Sequence, residues 1–284
     1  MNLQEISLEI RDLLEKRRQE LALTFVEEKH IYFMKDLEGN IRSDFPSVSK
    51  VLKKFHKQFD APAKALEMSK GDRSKQQQLL SEWRAAGDYS TNMGSRVHFI
   101  LENETIAKYG NYKEVRQPIF NCDDSQITKG DNMITAGRDF LNLMEERGGI
   151  LLDTEIISGD NELGYTGQPD KVWLMMNKEK TDFGFVLTDW KTNHPKNFEV
   201  QSYTGKMYPP FQNYHDNALG HYYLQLPLYA RLLIKMLQGT KYEGIKSLGG
   251  VVVLLKDDAT FVEYKVPADI NSMIMRIDIT KYTK

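Results

Sequence analysis

The tetrapeptide Gly167-Gln168-Pro169-Asp170 and, one hairpin later, Asp189-Trp190-Lys191-Thr192 carry the residue types from which a divalent-cation centre can be built. Side chains alternate between the faces of an extended strand, so Asp-x-Lys spacing sets Asp189 and Lys191 on one face, roughly 6.5 Å apart along it. Asp170 opens an apolar run at 172–176, and a hairpin through the polar turn at 177–182 would bring its carboxylate beside Asp189. Two carboxylates from neighbouring strands are the hard oxygen ligands preferred by Mg2+ or Mn2+. A cation held there would polarise a phosphate oxygen and acidify water, with Lys191 orienting that water or stabilising charge on the phosphorane. The chemistry expected is phosphodiester hydrolysis.

Alone, the pattern is weak, because two carboxylates and a lysine on adjacent strands are also common as solvated surface charge. Further residues add to it. Gly164 and Gly167 flank the approach to Asp170, where small residues let backbone come close to a ligand. Glu155, in the preceding strand candidate 154–157, offers another carboxylate, or else an edge-strand charge. In Gly94-Ser95-Arg96-Val97-His98-Phe99-Ile100-Leu101-Glu102, His98 and Glu102 share a helical face, and a neutral imidazole is a candidate metal ligand as well as a common core residue. Tyr222, Gln225 and Tyr229 share a face of a helix expected at about 219–238, suited to phosphate or base contacts or to plain packing. Pro227 within it should kink that helix or mark its first turn.

Taken in order, Gly-x-x-x-His-x-x-x-Glu at 94–102, Gly-x-Pro-Asp at 167–170, Asp-x-Lys at 189–191 and Gln-x-x-x-Tyr at 225–229 resemble the RecB-type branch of the PD-(D/E)xK nuclease superfamily. Phe45-Pro46-Ser47-Val48-Ser49-Lys50-Val51-Leu52, the extended Ile31-Tyr32-Phe33 before it and Trp83 are similar to the N-terminal parts of phage-type and mitochondrial-genome-maintenance-type exonucleases. The resemblance implies a restriction-endonuclease-like α/β (α+β) fold, a central mixed sheet flanked by helices. It implies His98, Asp170, Asp189 and the backbone carbonyl of Trp190 as ligands of Mg2+ or Mn2+, and Lys191 as the catalytic lysine. Gln225 and Tyr229 match the DNA-contacting helix, Glu102 matches a recurrent acid beside the histidine, and Glu155 falls where related nucleases often carry a catalytic acid. The implied activity is a metal-dependent exonuclease acting on single-stranded DNA ends. A structure-selective or site-specific endonuclease, or a non-catalytic DNA-end-binding recombination protein, are the alternatives.

Composition narrows the classes. Cys122 is the only cysteine, which excludes an intrachain disulfide, a cysteine zinc site and an iron–sulfur cluster held by four thiolates of this chain, although some RecB-like nucleases carry one. No Gly-x-x-x-x-Gly-Lys-[Ser/Thr] loop occurs, so a helicase motor or recombination partner would be a separate protein. The start of the chain lacks the basic and apolar regions of a signal peptide, and no apolar stretch approaches the ~20 residues of a membrane span. A soluble, cytoplasmic protein of a bacterial or phage-infected cell is expected, with no membrane partner.

Positioning these residues falls to 284 residues that are 40% hydrophobic, enough for one integrated domain with a helix-rich part at 1–150 and a nuclease core at 151–284. An amphipathic helix at 3–23 reads as a surface brace, a small hairpin follows at 25–34, and 47–56 reads as a short helix. Residues 61–110 and 134–148 look helical, and strands are expected at 154–157, 166–176, 183–192, 248–255 and 260–266. The net charge of −2 hides a basic segment at 50–75 of net +5, in which Lys53, Lys54 and Lys57 on the short helix form a candidate phosphate track. The long loop 193–217 interleaves Tyr203, Lys206, Tyr208, Phe211 and Tyr214, a mixture of stacking and basic groups suited to a single strand. A strand of DNA would then thread between the helical half and the core.

Overall fold

Near-continuous apolar runs from residue 150 onward, such as 172–176 and 251–255, make a sheet that is apolar on both faces, and helices from both halves of the chain cover it. The computed structural model describes residues 2–109, 120–193, 198 and 205–283. Its order begins with α1 (Leu3–Glu20), a ribbon of β1 (Thr24–Val26), β2 (Ile31–Lys35) and β3 (Ile41–Arg42), then α2 (Val48–Leu52), α3 (Ala61–Met68), α4 (Arg73–Tyr109) and α5 (Asp124–Glu146). There follow β4 (Ile150–Thr154), the two-stranded ribbon β5 (Ser158–Asp160) and β6 (Tyr165–Gly167), β7 (Lys171–Met176), β8 (Phe183–Lys191), α6 (Ala218–Met236), β9 (Lys246–Leu255), β10 (Phe261–Lys265) and α7 (Ala268–Arg276).

The five-stranded sheet has the order β10-β9-β8-β7-β4, and only the β8–β9 pair is parallel. The architecture is therefore mixed α/β with a mixed central sheet and a helix-rich first half. One face of the sheet presents Val172, Leu174, Phe185, Leu187, Val252 and Leu254 to a core with α1, α2, α6 and α7. The other presents Leu151, Trp173, Trp190, Val251 and Val253 to α4 and α5. Alternation holds through β7 and β8, so the residues at their site ends inherit a defined face. Among the described residues no helix is long and apolar enough to cross a membrane.

Several elements differ from the sequence expectation. Helix α1 is not a surface brace: Ile10 and Leu14 are buried in the sheet core, and buried Arg11 donates from Nε to the Leu152 carbonyl at 2.8 Å. Helix α5 starts ten residues before the expected 134, because Asp123 and Gln126 form a reciprocal capping box that outweighs the polar composition of its first turns. Helix α2 ends at Leu52, so Lys53 caps it and Lys54 and Lys57 lie beyond it. Pro227 stands in the middle of α6, which removes the first-turn alternative of the two expected for it. The strand expected at 166–176 divides into β6 and β7, and Glu155 lies just outside β4, at a backbone φ of 49°.

Candidate metal centre

Antiparallel β7 and β8 pair Lys171 with Thr188, which places Asp170 across from Asp189 at the end of the hairpin. Alternation then sends Asp170, Asp189 and Lys191 to the face where α6 packs, and Lys171, Thr188 and Trp190 to the opposite face. Contacts bear this out. Lys191 Nζ lies 4.2 Å from the ring centroid of Tyr222 on α6, whereas Lys171 Nζ lies 5.8 Å from the Trp190 ring. Both aspartates are buried.

Two glycines let helices approach this end of the sheet. A Cβ on Gly94 of α4 would come within 2.7 Å of Thr192 Oγ1, directly beyond β8. A Cβ on Gly167 would come within 2.4 Å of Tyr229 Cε1 and 2.9 Å of Val48 Cγ2. Gly167→Ala is therefore expected to cost about 1–3 kcal/mol in urea unfolding through overpacking. Combined with Tyr229→Ala, the total cost should fall short of the sum of the two single costs, since the two changes share one contact.

Three side chains from three elements converge beside the aspartates. One ligand-capable atom each from His98, Glu155 and Asp170 lie within 4.8 Å of one another. His98 Nδ1 is 3.4 Å from Asp170 Oδ2, the oxygen that also accepts the Trp190 N–H at 2.8 Å. A hydrogen bond to the Trp190 backbone raises the His98 pKa. Glu155 reaches the group by leaving β4 in a left-handed conformation, unfavourable for a residue with a Cβ. Its N–H donates to the Asp170 carbonyl at 3.0 Å, and its own carbonyl accepts from Gln168 Nε2 at 3.2 Å. Thr154 Oγ1 donates to the Asp170 carbonyl at 3.0 Å and accepts from buried Lys171 Nζ at 2.6 Å, which braces the turn from below.

Charge is distributed unevenly. Asp189 forms an ion pair with Lys191. Burial raises the Asp189 carboxyl, the Lys191 ammonium opposes this and the Asp170 carboxylate adds to it, leaving it at about 7. Burial would likewise raise Asp170, but His98, Lys191, Lys171 and the Trp190 N–H together hold it below the ordinary carboxylate range. Burial lowers the Lys191 ammonium, but Asp189 and Asp170 outweigh it, so the pKa is raised and the charge persists. Burial lowers the His98 pKa against the opposing effect of Asp170, favouring the neutral imidazole that a metal ligand must be.

The His98–Glu155–Asp170 group borders a cleft of about 960 Å³, whose lining does not include Asp189 or Lys191. His98, Glu102, Glu155, Asp170 and Tyr229 line it. Gln225 stands behind, donating from Nε2 to the Tyr229 hydroxyl at 3.0 Å. Lys53, Lys54 and Lys57 are exposed and do not line it. Tyr208, 46% exposed, packs near them instead, its N–H donating to the Phe55 carbonyl at 2.7 Å. Tyr203 lies outside the described residues. Sequence reading missed the aromatic wall of Phe25, His30, Tyr32, Phe99 and Phe120, whose members come from β1, the turn before β2, β2 itself, α4 and the segment before α5. It also missed Lys171, although that lysine directly follows Asp170. No protein-family model and no curated protein matches this sequence.

Proposed function

We propose that the chain is a Mg2+- or Mn2+-dependent deoxyribonuclease with a restriction-endonuclease-like core of the RecB type, acting as an exonuclease on single-stranded DNA ends. The observation that carries the reading is the convergence of His98, Glu155 and Asp170 on one point beside the Asp189–Lys191 pair, at the wall of a large cleft. Their donor set suits the group: carboxylate oxygens, one neutral imidazole and the Trp190 carbonyl are hard or borderline ligands without a thiolate. His98, Asp170, Asp189 and the Trp190 carbonyl would hold the ion, with Glu155 beside them. The chemistry it supplies when bound is Lewis-acid polarisation of a phosphate oxygen and acidification of water.

The protein's own groups do the rest. Lys191 keeps a fixed positive charge beside Asp189, suited to orienting a nucleophilic water and to offsetting negative charge on the reacting phosphate. Tyr229 accepts from Gln225, which leaves its phenolic proton for a phosphate oxygen in the cleft. Burial raises the Tyr229 pKa well above its usual value, so it remains a donor across the working range. The aromatic wall favours unpaired bases, whose faces are free to stack, over a duplex that presents only edges.

The proposal is tested by incubating 5′-labelled and 3′-labelled single strands, a matched duplex and a closed single-stranded circle with Mn2+ or with chelator. Metal-dependent degradation of the linear single strands with a resistant circle is expected. Cutting of the circle at a comparable rate would replace the exonuclease by an endonuclease, and no cleavage with any divalent cation would remove the nuclease reading.

Protons compete with the cation. With the Asp189 carboxyl at about 7, raising the pH toward neutrality frees the carboxylate. Mn2+ affinity is therefore expected to climb by about tenfold per pH unit below neutrality and to level off above it. Calorimetric titration across that range, in buffers of different ionisation enthalpy, would read both the affinity and the released proton.

A further inference from the structure

A second group of ligand-type side chains, His56, Asp216 and His221, lies away from the cleft, with one ligand-capable atom of each within 4.8 Å of the others. The three come from the segment after α2, the segment before α6 and the first turn of α6. Asp216 is 3% exposed, and its two oxygens are divided. Oδ2 accepts the Lys57 N–H at 3.2 Å, while Oδ1 lies 2.7 Å from His221 Nε2 and 3.9 Å from His56 Nδ1. The carboxylate is thus held by backbone on one side and turned toward two imidazoles on the other. His56 Nδ1 is also 3.2 Å from the Lys57 carbonyl, a contact that an incoming ion would replace. The Lys57 N–H on Asp216 Oδ2 is an outer contact of the kind that orients ligands at metal sites.

We propose that His56, Asp216 and His221 form a Zn2+ site, separate from the candidate nuclease centre, that clips the segment after α2 to the start of α6. Two imidazole nitrogens and one carboxylate oxygen are a borderline donor set, suited to Zn2+ and poorly suited to Mg2+, which requires octahedral oxygen coordination. Bonds of about 2.0–2.1 Å in a tetrahedral site put ligand atoms roughly 3.3 Å apart. The observed 2.7 and 3.9 Å fall on either side of that value, each by about 0.6 Å. One ring must also turn. The imidazoles are stacked with centroids 3.9 Å apart and planes 26° apart, and an ion has to lie near both planes. The torsion involved is a soft one, and the side chains are 17% and 26% exposed, leaving the rings room to turn. Burial lowers the His221 pKa, with Asp216 opposing and His56 assisting, which favours the neutral ring.

The consequence concerns α6. His221 stands one turn before Gln225 and two before Tyr229 on the same stripe of the helix. An ion held by its first turn would tie the helix carrying those two residues to the segment that contains Lys57. The positive end of the helix dipole disfavours a cation here, which the full charge of buried Asp216 offsets.

The test uses the full chain with Asp170→Asn and Glu155→Gln, so that the nuclease centre keeps only Asp189 of its three carboxylates, and needs no DNA. Zn2+ is titrated calorimetrically in excess Mg2+, and Co2+ is added separately for its visible absorption in four-coordinate sites. About one Zn2+ per chain is expected. Adding His56→Gln or His221→Gln should weaken it by about tenfold or more, while glutamine retains a donor beside Asp216 and preserves the ion-free fold, checked by circular dichroism. Absence of Zn2+ binding, or binding that both glutamine variants leave unchanged, would overturn the site. Because the measurement contains no substrate, a chain that binds Zn2+ here but cleaves nothing, or the reverse, separates this proposal from the nuclease reading.

Discussion

Lys191→Ala is expected to slow cleavage of a labelled single strand by about 10²- to 10⁴-fold while leaving Mn2+ binding in place. The reason lies in what the ammonium touches. It pairs with Asp189, sits over the Tyr222 ring and has a pKa raised by both aspartates, so it does not act as a base that gives up its proton near neutrality. Its contribution is a fixed charge and a set of donors. Removing it takes away a cation that competes for Asp189, so the affinity for Mn2+ should hold or increase. The vacated carboxylate can take up a proton, which limits the structural cost of breaking a buried pair. Lys191→Arg should fail to restore the rate, because a planar guanidinium cannot occupy the place of a compact ammonium between Asp189 and an aromatic face. Cleavage that is undiminished in Lys191→Ala would reduce this residue to a counter-ion of Asp189.

How much of this arrangement could be read beforehand depends on the range of the interaction. Asp170 opposite Asp189 was legible because a polar turn joins two apolar runs, and register within one hairpin is a local matter. Lys191 followed from Asp189 by the two-residue period of a strand. The mixed α/β architecture was legible from the order of helical and strand patterns, whereas α1 was misplaced because an amphipathic stripe states that a face is buried without saying against what. Glu155 shows a different barrier. Its carboxylate joins the group through a left-handed backbone at a residue type that does not advertise one, a conformation that the strand expected over 154–157 does not contain. The aromatic wall and the His56–Asp216–His221 group draw on segments far apart in the chain, and no local spacing marks either. The basic residues Lys53, Lys54 and Lys57 show the limit of composition: it located the charge, but α2 ends before it and it lies off the cleft.

Asp170→Asn should behave oppositely to Lys191→Ala in binding, losing both Mn2+ affinity and cleavage by about 10²-fold or more. Asparagine keeps the shape and can still accept the Trp190 N–H through its carbonyl oxygen, so the end of β8 should remain in position. What disappears is the negative charge that His98, Lys191 and Lys171 surround. Asp189 then loses the like-charged neighbour that helps raise it, and its carboxyl should fall below about 7. Any residual Mn2+ binding should therefore level off at lower pH than in the parent chain, even though it is weaker throughout. This combination separates a cation centre from a fortuitous charge cluster. In a cluster of surface charge, Asp170→Asn and Lys191→Ala would change Mn2+ affinity little and in no particular relation to cleavage. In the centre proposed here, the carboxylate is needed for the cation and the ammonium only for the reaction. Titration calorimetry and a single-turnover cleavage assay on the same two variants are sufficient to tell the cases apart.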